Sequence, residues 1–405
     1  MIRPPFLGIF LSTTLLIPAL LSCTGTVEPG TGTSTLLVVT FDAGNTIALV
    51  EDTFGTEGAS LERLRFVENS ERTLPDPAVA IDVVDRAFSR SELFVLSRGP
   101  SPSFTAQLSR YDLERIDPGD PSAFALTDEG VVDLSLLLES DPNEDIVNPC
   151  LTDLQASRSG RFVALLERQP CTGDDGIIHL VDLEEEELIR SVGPFLPGSN
   201  AILPDPGFYL DQDSDTLFFL VAEFGNASLV RLSIPDGSPE IVPTEQEQRF
   251  EGTEQVDLGP VGSSLVALSR DEFQALDPDD PQLSPVIETG SGSTELVSDP
   301  FLGTSEVLII GSRSLTAHDD IADDTPDTED SISPNIVGGT LEPTQGFVYL
   351  LANGGIHIFD LLSYQNRSAA QEISDPRFLG FFGVDELVNP GFITWTLAAT
   401  SVETP

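Results

Sequence analysis

One short string of alternating carboxylates has the residue types that bind a divalent cation. Asp211, Asp213 and Asp215 stand two residues apart, and side chains at that spacing on an extended backbone point the same way. An EF-hand loop starting at Asp211 also needs glycine at its sixth position and glutamate at its twelfth, where this sequence has Thr216 and Ala222. The string therefore favours a solvated turn between two strands, and its three aspartates remain the candidates for a metal.

No other group of residues has the spacing of a catalytic or cofactor-binding motif. The three histidines, His179, His318 and His357, are far apart in sequence, and there is no Gly-x-Ser-x-Gly elbow, phosphate-binding loop or His-Glu-x-x-His string. Acidic residues are so abundant that any choice of an acid–base pair is arbitrary. We therefore name no catalytic residue, predict no cofactor and expect a protein that is not an enzyme.

The charge balance excludes one class of partner. The chain has 67 acidic residues against 19 basic ones, a formal net charge of −48, and every basic residue is an arginine. A surface this negative repels phosphate backbones, so we expect no binding to nucleic acid. The lysine-free, acid-rich composition fits a salty habitat and a GC-rich genome equally well.

The N-terminus has the layout of a secretory signal. Arg3 is followed by an apolar stretch from Phe6 to Leu21. The stretch is about 16 residues long, short of the roughly 20 that span a bilayer, and no later segment is comparable. We therefore predict a signal peptide over residues 1–22.

The end of this signal, Leu20-Leu21-Ser22-Cys23, resembles the lipobox of bacterial lipoproteins. The resemblance implies cleavage before Cys23 and acyl chains on this cysteine, and two or three acyl chains hold a protein firmly to a membrane. Thr24 follows instead of aspartate, which implies the outer membrane if the cell is Gram-negative. Residues 23–34 then comprise the lipidated cysteine and a flexible Gly/Thr/Pro-rich tether.

The two remaining cysteines form an even pair in an oxidising compartment. Cys150 and Cys171 flank one predicted hairpin, and counting back from its turn at Ser157–Gly160 places them nearly opposite each other. We therefore predict a disulfide, which stabilises the fold by about 3 kcal/mol in the chain-entropy model.

The rest of the chain repeats a pattern of strands. A turn leads into a dense apolar run, as expected for a strand that is buried on both faces. These runs are Arg90–Ser97, Gly160–Leu166, Asp213–Val221, Gly262–Leu268, Gly303–Ile310 and Gln345–Ala352. Each is followed by a more alternating strand, namely Thr105–Leu113, Ile177–Leu183, Ser228–Ile234, Glu272–Pro278, Ser314–Asp320 and Gly355–Leu361. Further strands precede and follow these pairs, as in the four-stranded blades of a β-propeller.

The segment His179–Val192 resembles the paired outer strands of WD40-like and YVTN-type propellers, although the chain has no Trp-Asp pair. The resemblance implies an all-β propeller over residues 35–405. Six units run from Val79 to Asp375. We expect Thr35–Asp52 to supply third and fourth strands and Phe378–Thr400 first and second strands of a seventh blade that closes the ring. An eight-bladed ring would need two incomplete blades. An array of β-sandwiches is the other alternative, but it would not explain the partial blades at the two ends of the chain.

An acidic segment near residues 318–334 has little apolar content, which predicts an insertion between blades. Taken together, these features indicate a lipid-anchored propeller of the cell envelope that binds or scaffolds protein or glycan partners. The alternative on the same fold is a lactonase-like enzyme with a metal in the central channel, and a structural surface protein is a third possibility.

Overall fold

The chain is almost entirely β-structure. The computed structural model describes residues 35–53, 63–87, 90–100, 105–115, 124–138, 150–169, 175–192, 208–211, 216–223, 226–234, 239–241, 255–261, 264–269, 271–276, 286–289, 292–297, 307–318, 328–342, 346–360 and 377–396. Within these ranges the only helix is one short turn, α1, over Leu134–Leu138.

The strands form seven antiparallel sheets, here called blades. Blade 7 contains the first four described strands, β1 (Thr35–Phe41), β2 (Thr46–Asp52), β3 (Leu64–Phe66) and β4 (Arg72–Thr73). Blade 1 comprises β5 (Ala78–Ala87), β6 (Arg90–Arg98), β7 (Ala106–Arg115) and β8 (Phe124–Asp133). Blade 2 comprises β9 (Leu151–Ala156), β10 (Phe162–Gln169), β11 (Asp175–Asp182) and β12 (Glu187–Val192). Blade 3 comprises β13 (Phe208–Asp211), β14 (Thr216–Glu223), β15 (Asn226–Ser233) and β16 (Pro239–Ile241).

The remaining blades follow the same order. Blade 4 comprises β17 (Gln255–Val261), β18 (Ser264–Ser269), β19 (Glu272–Leu276) and β20 (Ile287–Glu288). Blade 5 comprises β21 (Ser293–Val297), β22 (Val307–Gly311), β23 (Ser314–His318) and β24 (Thr328–Ser331). Blade 6 comprises β25 (Ile336–Glu342), β26 (Phe347–Ala352), β27 (Gly355–Asp360) and β28 (Arg377–Gly383). The last strand, β29 (Ile393–Thr396), returns to blade 7.

The hydrophobic core lies between the blades. The middle strands are apolar on both faces because alternate side chains pack against different neighbours. In β10, Val163 and Leu165 join the cluster shared with blade 1, whereas Ala164 and Leu166 join the cluster shared with blade 3. Among the described residues there is one such cluster at each of the seven blade interfaces.

The ring closes through both ends of the chain. The inner strands β5, β9, β13, β17, β21, β25 and β29 each contact the next, and β29 contacts β5 again. In blade 7, β29 pairs antiparallel with β1, with Leu36 opposite Thr396 and Val39 opposite Ile393. The predicted seven-bladed propeller closed by N- and C-terminal strands is therefore confirmed.

The two ends of the chain supply different strands of blade 7 from those predicted. The C-terminal segment supplies only the first strand of blade 7, and β1 and β2 are its second and third strands, with β3 and β4 outside them. Arg377–Gly383 is instead the outer strand of blade 6. The physical reason is burial. Both faces of β1 are covered by neighbouring blades, which is the condition that a dense apolar run indicates.

The acidic segment near residues 318–334 also differs from a simple insertion. His318 is the last residue of β23 and is fully buried, and Thr328–Ser331 forms β24 beside β23. An outermost strand needs only main-chain pairing on one side, so polar residues can form it. Low apolar content therefore did not exclude a strand here.

A close backbone approach in blade 6 gives a first prediction. A Cβ on Gly355 would lie 2.3 Å from the carbonyl oxygen of Phe382, which β-pairing holds in place. We expect Gly355→Ala to lower the free energy of unfolding by about 2 kcal/mol, as overpacking does. Gly383→Ala, opposite Gly355 in the same ladder, is the matched control because its Cβ would meet its nearest atom at 3.9 Å. Urea unfolding measures both, and equal losses would contradict the prediction.

Candidate functional site

Four of the acidic side chains on the inner strands, which surround the propeller axis, have the same kind of surroundings. Asp82 is on β5, Asp153 on β9, Asp257 on β17 and Glu295 on β21, and each is half-buried. We call these four residues the axial carboxylates. They belong to blades 1, 2, 4 and 5, so the inner strands of four of the seven blades each carry one of them.

The backbone holds each axial aspartate in place locally. In Asp82, Asp153 and Asp257, one carboxylate oxygen accepts a hydrogen bond of 2.8 Å from the N–H of the next residue along the strand. This short contact orients the side chain along its own strand, so the second oxygen can reach a neighbour.

Three axial carboxylates bridge to the next blade. The N–H of Ala156 on β9 donates to Asp82 Oδ2 at 2.7 Å. The same contact recurs between blades 4 and 5 and between blades 5 and 6, where the donors are Leu296 N–H to Asp257 Oδ2 at 2.8 Å and Gly339 N–H to Glu295 Oε2 at 3.1 Å. These bonds tie consecutive inner strands together at the axis.

An amide makes the equivalent bridge between blades 2 and 3. Gln155 Nε2 donates to the carbonyl of Phe208 at 2.7 Å, and Gln155 Oε1 accepts from the N–H of Leu210 at 2.7 Å. A neutral side chain therefore also ties two consecutive inner strands together, with one donated and one accepted hydrogen bond.

The channel environment disfavours the charged form of the acids. Burial raises the pKa of Asp82 to about 7, although two backbone N–H groups act in the opposite direction. Burial likewise raises the pKa of Asp257 to about 6. The pKa of Glu295 rises to about 8, first through burial and then through the negative charges of Asp257 and Asp153. Because blades 2 and 5 are as far apart as a seven-membered ring allows, Asp153 and Glu295 interact across the channel.

The aspartate string predicted as a metal candidate is only partly described. Asp211 is the last residue of β13 and is half-buried, whereas Asp213 and Asp215 lie outside the described residues. Within the part of the chain that the structure describes, no three or more His, Cys, Asp or Glu side chains are grouped so as to hold a metal ion. The string therefore stays a prediction.

His179 is part of a buried hydrogen-bond network in blade 2. Its Nε2 lies 2.7 Å from Glu167 Oε2, and its Nδ1 lies 2.9 Å from Ser191 Oγ. Serine, histidine and a carboxylate are the groups of a hydrolase triad. Here, however, the His179 ring is fully buried and the three residues belong to three adjacent strands, so the network connects β10, β11 and β12.

The other two histidines pack against aromatic rings. His318 meets Phe273 edge-on, with ring centroids 4.9 Å apart. The His357 ring lies 4.8 Å from that of Phe381, and burial lowers the pKa of His357. The structure thus keeps the three histidines on separate blades.

Of the three cysteines, one lies among the described residues. Cys150 is buried at the start of β9, is disulfide-bonded, and accepts a contact of 2.9 Å from Arg98 Nη1. Its predicted partner, Cys171, and the predicted lipidation site, Cys23, lie outside the described residues, so both assignments stay predictions. In the described ranges no helix is long and apolar enough to cross a bilayer.

Sequence reasoning missed the axial carboxylates. A signal was present, because Asp82, Asp153, Asp257 and Glu295 each stand in the middle of a predicted or observed first strand and are followed by valine or leucine. An acid at the same place in several repeats of an apolar strand indicates a shared structural position. The general abundance of acidic residues concealed this pattern.

Comparisons with known proteins support the fold, but they assign neither a family nor a function. No family model matches the chain, and no curated protein matches it. A solved structure of a functionally unknown protein from Desulfotomaculum acetoxidans DSM 771 is similar with a TM-score of 0.56 at 12 % identity, covering 89 % of this chain and 98 % of that one. A structure of a nidogen/laminin complex aligns with a TM-score of 0.40 at 11 % identity, over 90 % of this chain and 99 % of that one.

Proposed function

We propose that this protein is a non-enzymatic binding module, a propeller held at the cell envelope by a lipid on Cys23 that binds a positively charged protein or glycan partner. The observation that carries the proposal is how the arginines are used. Four of them form ion pairs with carboxylates that are at most 5 % exposed. The pairs are Arg63 with Asp52, Arg65 with Glu51, Arg110 with Glu92 and Arg161 with Asp182.

These pairs are neutral and leave the formal net charge of −48 unbalanced, so the remaining surface is strongly acidic. These four arginines pair with buried acids, and Arg161 also forms an ion pair with an exposed acid, Glu184, at 3.5 Å. Exposed acidic residues occur at the turn Glu184–Glu187, on β8 at Asp128 and Glu129, and after β28 at Asp385 and Glu386. Such a field attracts cationic surfaces and raises their rate of association, and it repels nucleic acid.

The test is crosslinking in native membranes, followed by mass spectrometry of the captured partner and binding measurements with the purified pair. We expect a partner with a basic contact surface and an affinity that falls about tenfold or more between low salt and about 0.5 M salt. Neutralising Glu184, Glu185 and Glu186 to glutamine reports whether that turn contributes. An affinity that does not depend on salt contradicts the electrostatic basis of the proposal.

The lactonase-like alternative requires a metal among carboxylates at the channel. The axial carboxylates are the described groups that come nearest to this requirement. Three of them already accept backbone N–H groups of the next blade, and among the described residues no three acids, histidines or cysteines are grouped closely enough to hold a metal ion. This donor set does not fit a metal site, and we derive no catalytic step through one.

The lipid anchor gives a separate prediction. We expect the mature native protein to have the mass of residues 23–405 plus acyl chains, and Cys23→Ser to abolish this modification and release the protein from membranes. Intact mass spectrometry before and after reduction measures the acyl mass and also a gain of about two daltons for a Cys150–Cys171 disulfide. An unmodified Cys23 in membrane-derived protein contradicts the anchor.

A further inference from the structure

The outer strand of blade 6 has an unprotected edge. β28 stands at the end of the sheet order of its blade. A strand in that position presents N–H and C=O groups with which another chain can pair, and proteins usually protect it by charged residues, proline or short length. β28 is seven residues long, and after Arg377 it has neither a charged residue nor a proline.

The other outer strands carry the usual protection. Exposed charges lie on β12 at Glu187 and Arg190, on β8 at Asp128 and Glu129, and on β3 at Arg65. β16 begins with a proline, β20 is two residues long, and two of the four residues of β24 are acidic. Among the outer strands that the structure describes, β28 is therefore the one whose edge favours pairing.

The two faces of β28 have different surroundings. Leu379 and Phe382 pack on one side against the cluster between blades 6 and 7. Phe378 and Phe381 lie opposite residues of β27 that are two positions apart, so their rings share the other face. Phe378 is 50 % exposed and Phe381 is 40 % exposed, which is typical of a contact surface. We call the edge of β28 with these two phenylalanines the aromatic edge.

The charge next to the aromatic edge is negative. Asp385 and Glu386 follow β28 directly and are both exposed. The net charge of −48 opposes the approach of a second copy of this chain and favours a cationic partner.

The folded chain itself combines phenylalanine, carboxylate and arginine. Arg63 donates to Asp52 while its guanidinium lies 5.2 Å from the ring centroid of Phe382, on the inner face of β28. Arg110 and Arg161 likewise pair with a carboxylate and lie over one phenylalanine ring each. A guanidinium is attracted to a ring face as well as to an acid, so arginine is the cation that this combination favours.

We propose that the aromatic edge is the docking site of the partner, and that an extended, arginine-bearing segment of a protein adds to β28 as a fifth strand of blade 6. The proposal rests on the proposed function for the positive charge of the partner. Side chains on paired strands lie about 5 Å apart, so arginines at alternate positions of the segment reach Phe378 and Phe381. Main-chain pairing gives affinity to a polypeptide and is not available to a glycan.

A defined peptide tests the docking mode on the wild-type, full-length protein. The probe is an octapeptide of alternating arginine and valine with capped ends, and fluorescence anisotropy measures its affinity. Methylating either alternate set of its backbone nitrogens removes the N–H groups from one edge of the probe and keeps its charge. We expect one pattern to weaken binding about tenfold or more and the other to leave it within about twofold. Equal effects of the two patterns overturn the proposal.

Replacing both rings tests the location of the site. Phe378→Thr combined with Phe381→Thr keeps residues that suit a strand, and we expect it to weaken probe binding about tenfold. Val131→Thr is the matched control, because Val131 is an exposed apolar residue on the outer strand β8. Urea unfolding checks that the double variant is folded, and the methylated probes decide the question on the wild type if it is not. Unchanged binding to a folded double variant overturns the proposal.

Two further outcomes separate this site from the proposed function. A partner captured from native membranes may bind in a salt-dependent way and keep its affinity for the folded double variant, which refutes the aromatic edge and leaves the proposed function standing. A chitosan oligomer is a cationic glycan, and we expect it to compete with the probe only weakly. Competition as strong as that of the unmethylated peptide identifies a glycan site and overturns docking by strand addition.

Discussion

Replacing Arg63 with methionine will lower the free energy of unfolding by about 3–5 kcal/mol, because it leaves a buried carboxylate without its counter-ion. Arg63 donates three hydrogen bonds of 2.8 to 3.0 Å to the carboxylate of Asp52, which is 1 % exposed. Tyr349 on blade 6 donates a further bond of 2.9 Å to Asp52 Oδ2. The guanidinium also lies over the rings of Phe347 and Phe382, at 4.8 and 5.2 Å from their centroids. This group of residues therefore joins blades 6 and 7.

Chemical denaturation of three variants separates this effect from a general loss of charge. Arg190→Met changes an exposed arginine on β12 and should stay within about 0.5 kcal/mol of the wild type. Adding Asp52→Asn to Arg63→Met removes the unpaired charge but keeps an acceptor for Tyr349, so we expect the double variant to recover most of the loss. A double variant that is no more stable than Arg63→Met alone would show that the unpaired carboxylate is not the cause.

Deletion of residues 393–405 will lower the free energy of unfolding by about 5 kcal/mol or more, because it removes the inner strand of blade 7. The deletion exposes the pairing edge of β1 and the apolar surface that β29 covers, and it leaves blades 6 and 1 joined by an incomplete sheet. We expect thermal unfolding to become broad and to start at a lower temperature. A free, apolar strand edge also promotes aggregation.

Two further variants make this result specific. Deletion of residues 398–405 keeps β29 whole, so equal effects of the two deletions contradict the ring-closure role. Thr396→Val keeps the strand but removes the hydroxyl that contacts Asp85 and Ser91 on blade 1, at 3.0 and 2.6 Å. Loss of this link should cost about 1–2 kcal/mol.

The repeated strands were predictable because their burial is extreme. Gly160–Leu166 and Gln345–Ala352 predicted strands that are covered on both faces, and β10 and β26 are the middle strands of their blades. Strands of that kind need a continuous apolar run, which short sequence windows reveal. Outer strands such as β24 carry no such constraint, so their composition resembles that of a loop.

The candidate site was less predictable because its residues are distant in sequence. Asp52 and Tyr349 are 297 residues apart, and the acids that interact across the channel belong to different repeats. Each aspartate looks like any of the many exposed ones until the ring places it at the axis. The predicted metal string, by contrast, depended on local spacing alone.

The sequence by itself determined the fold class, the number of blades and the pairing of the chain ends, because the dense apolar run of each middle strand is a local property that the order and number of residues record. Only the tertiary structure decided which end supplies which strand of blade 7, which arginines neutralise buried acids and which carboxylates meet at the axis. Those outcomes depend on distances between repeats, and such distances exist only once the ring has closed.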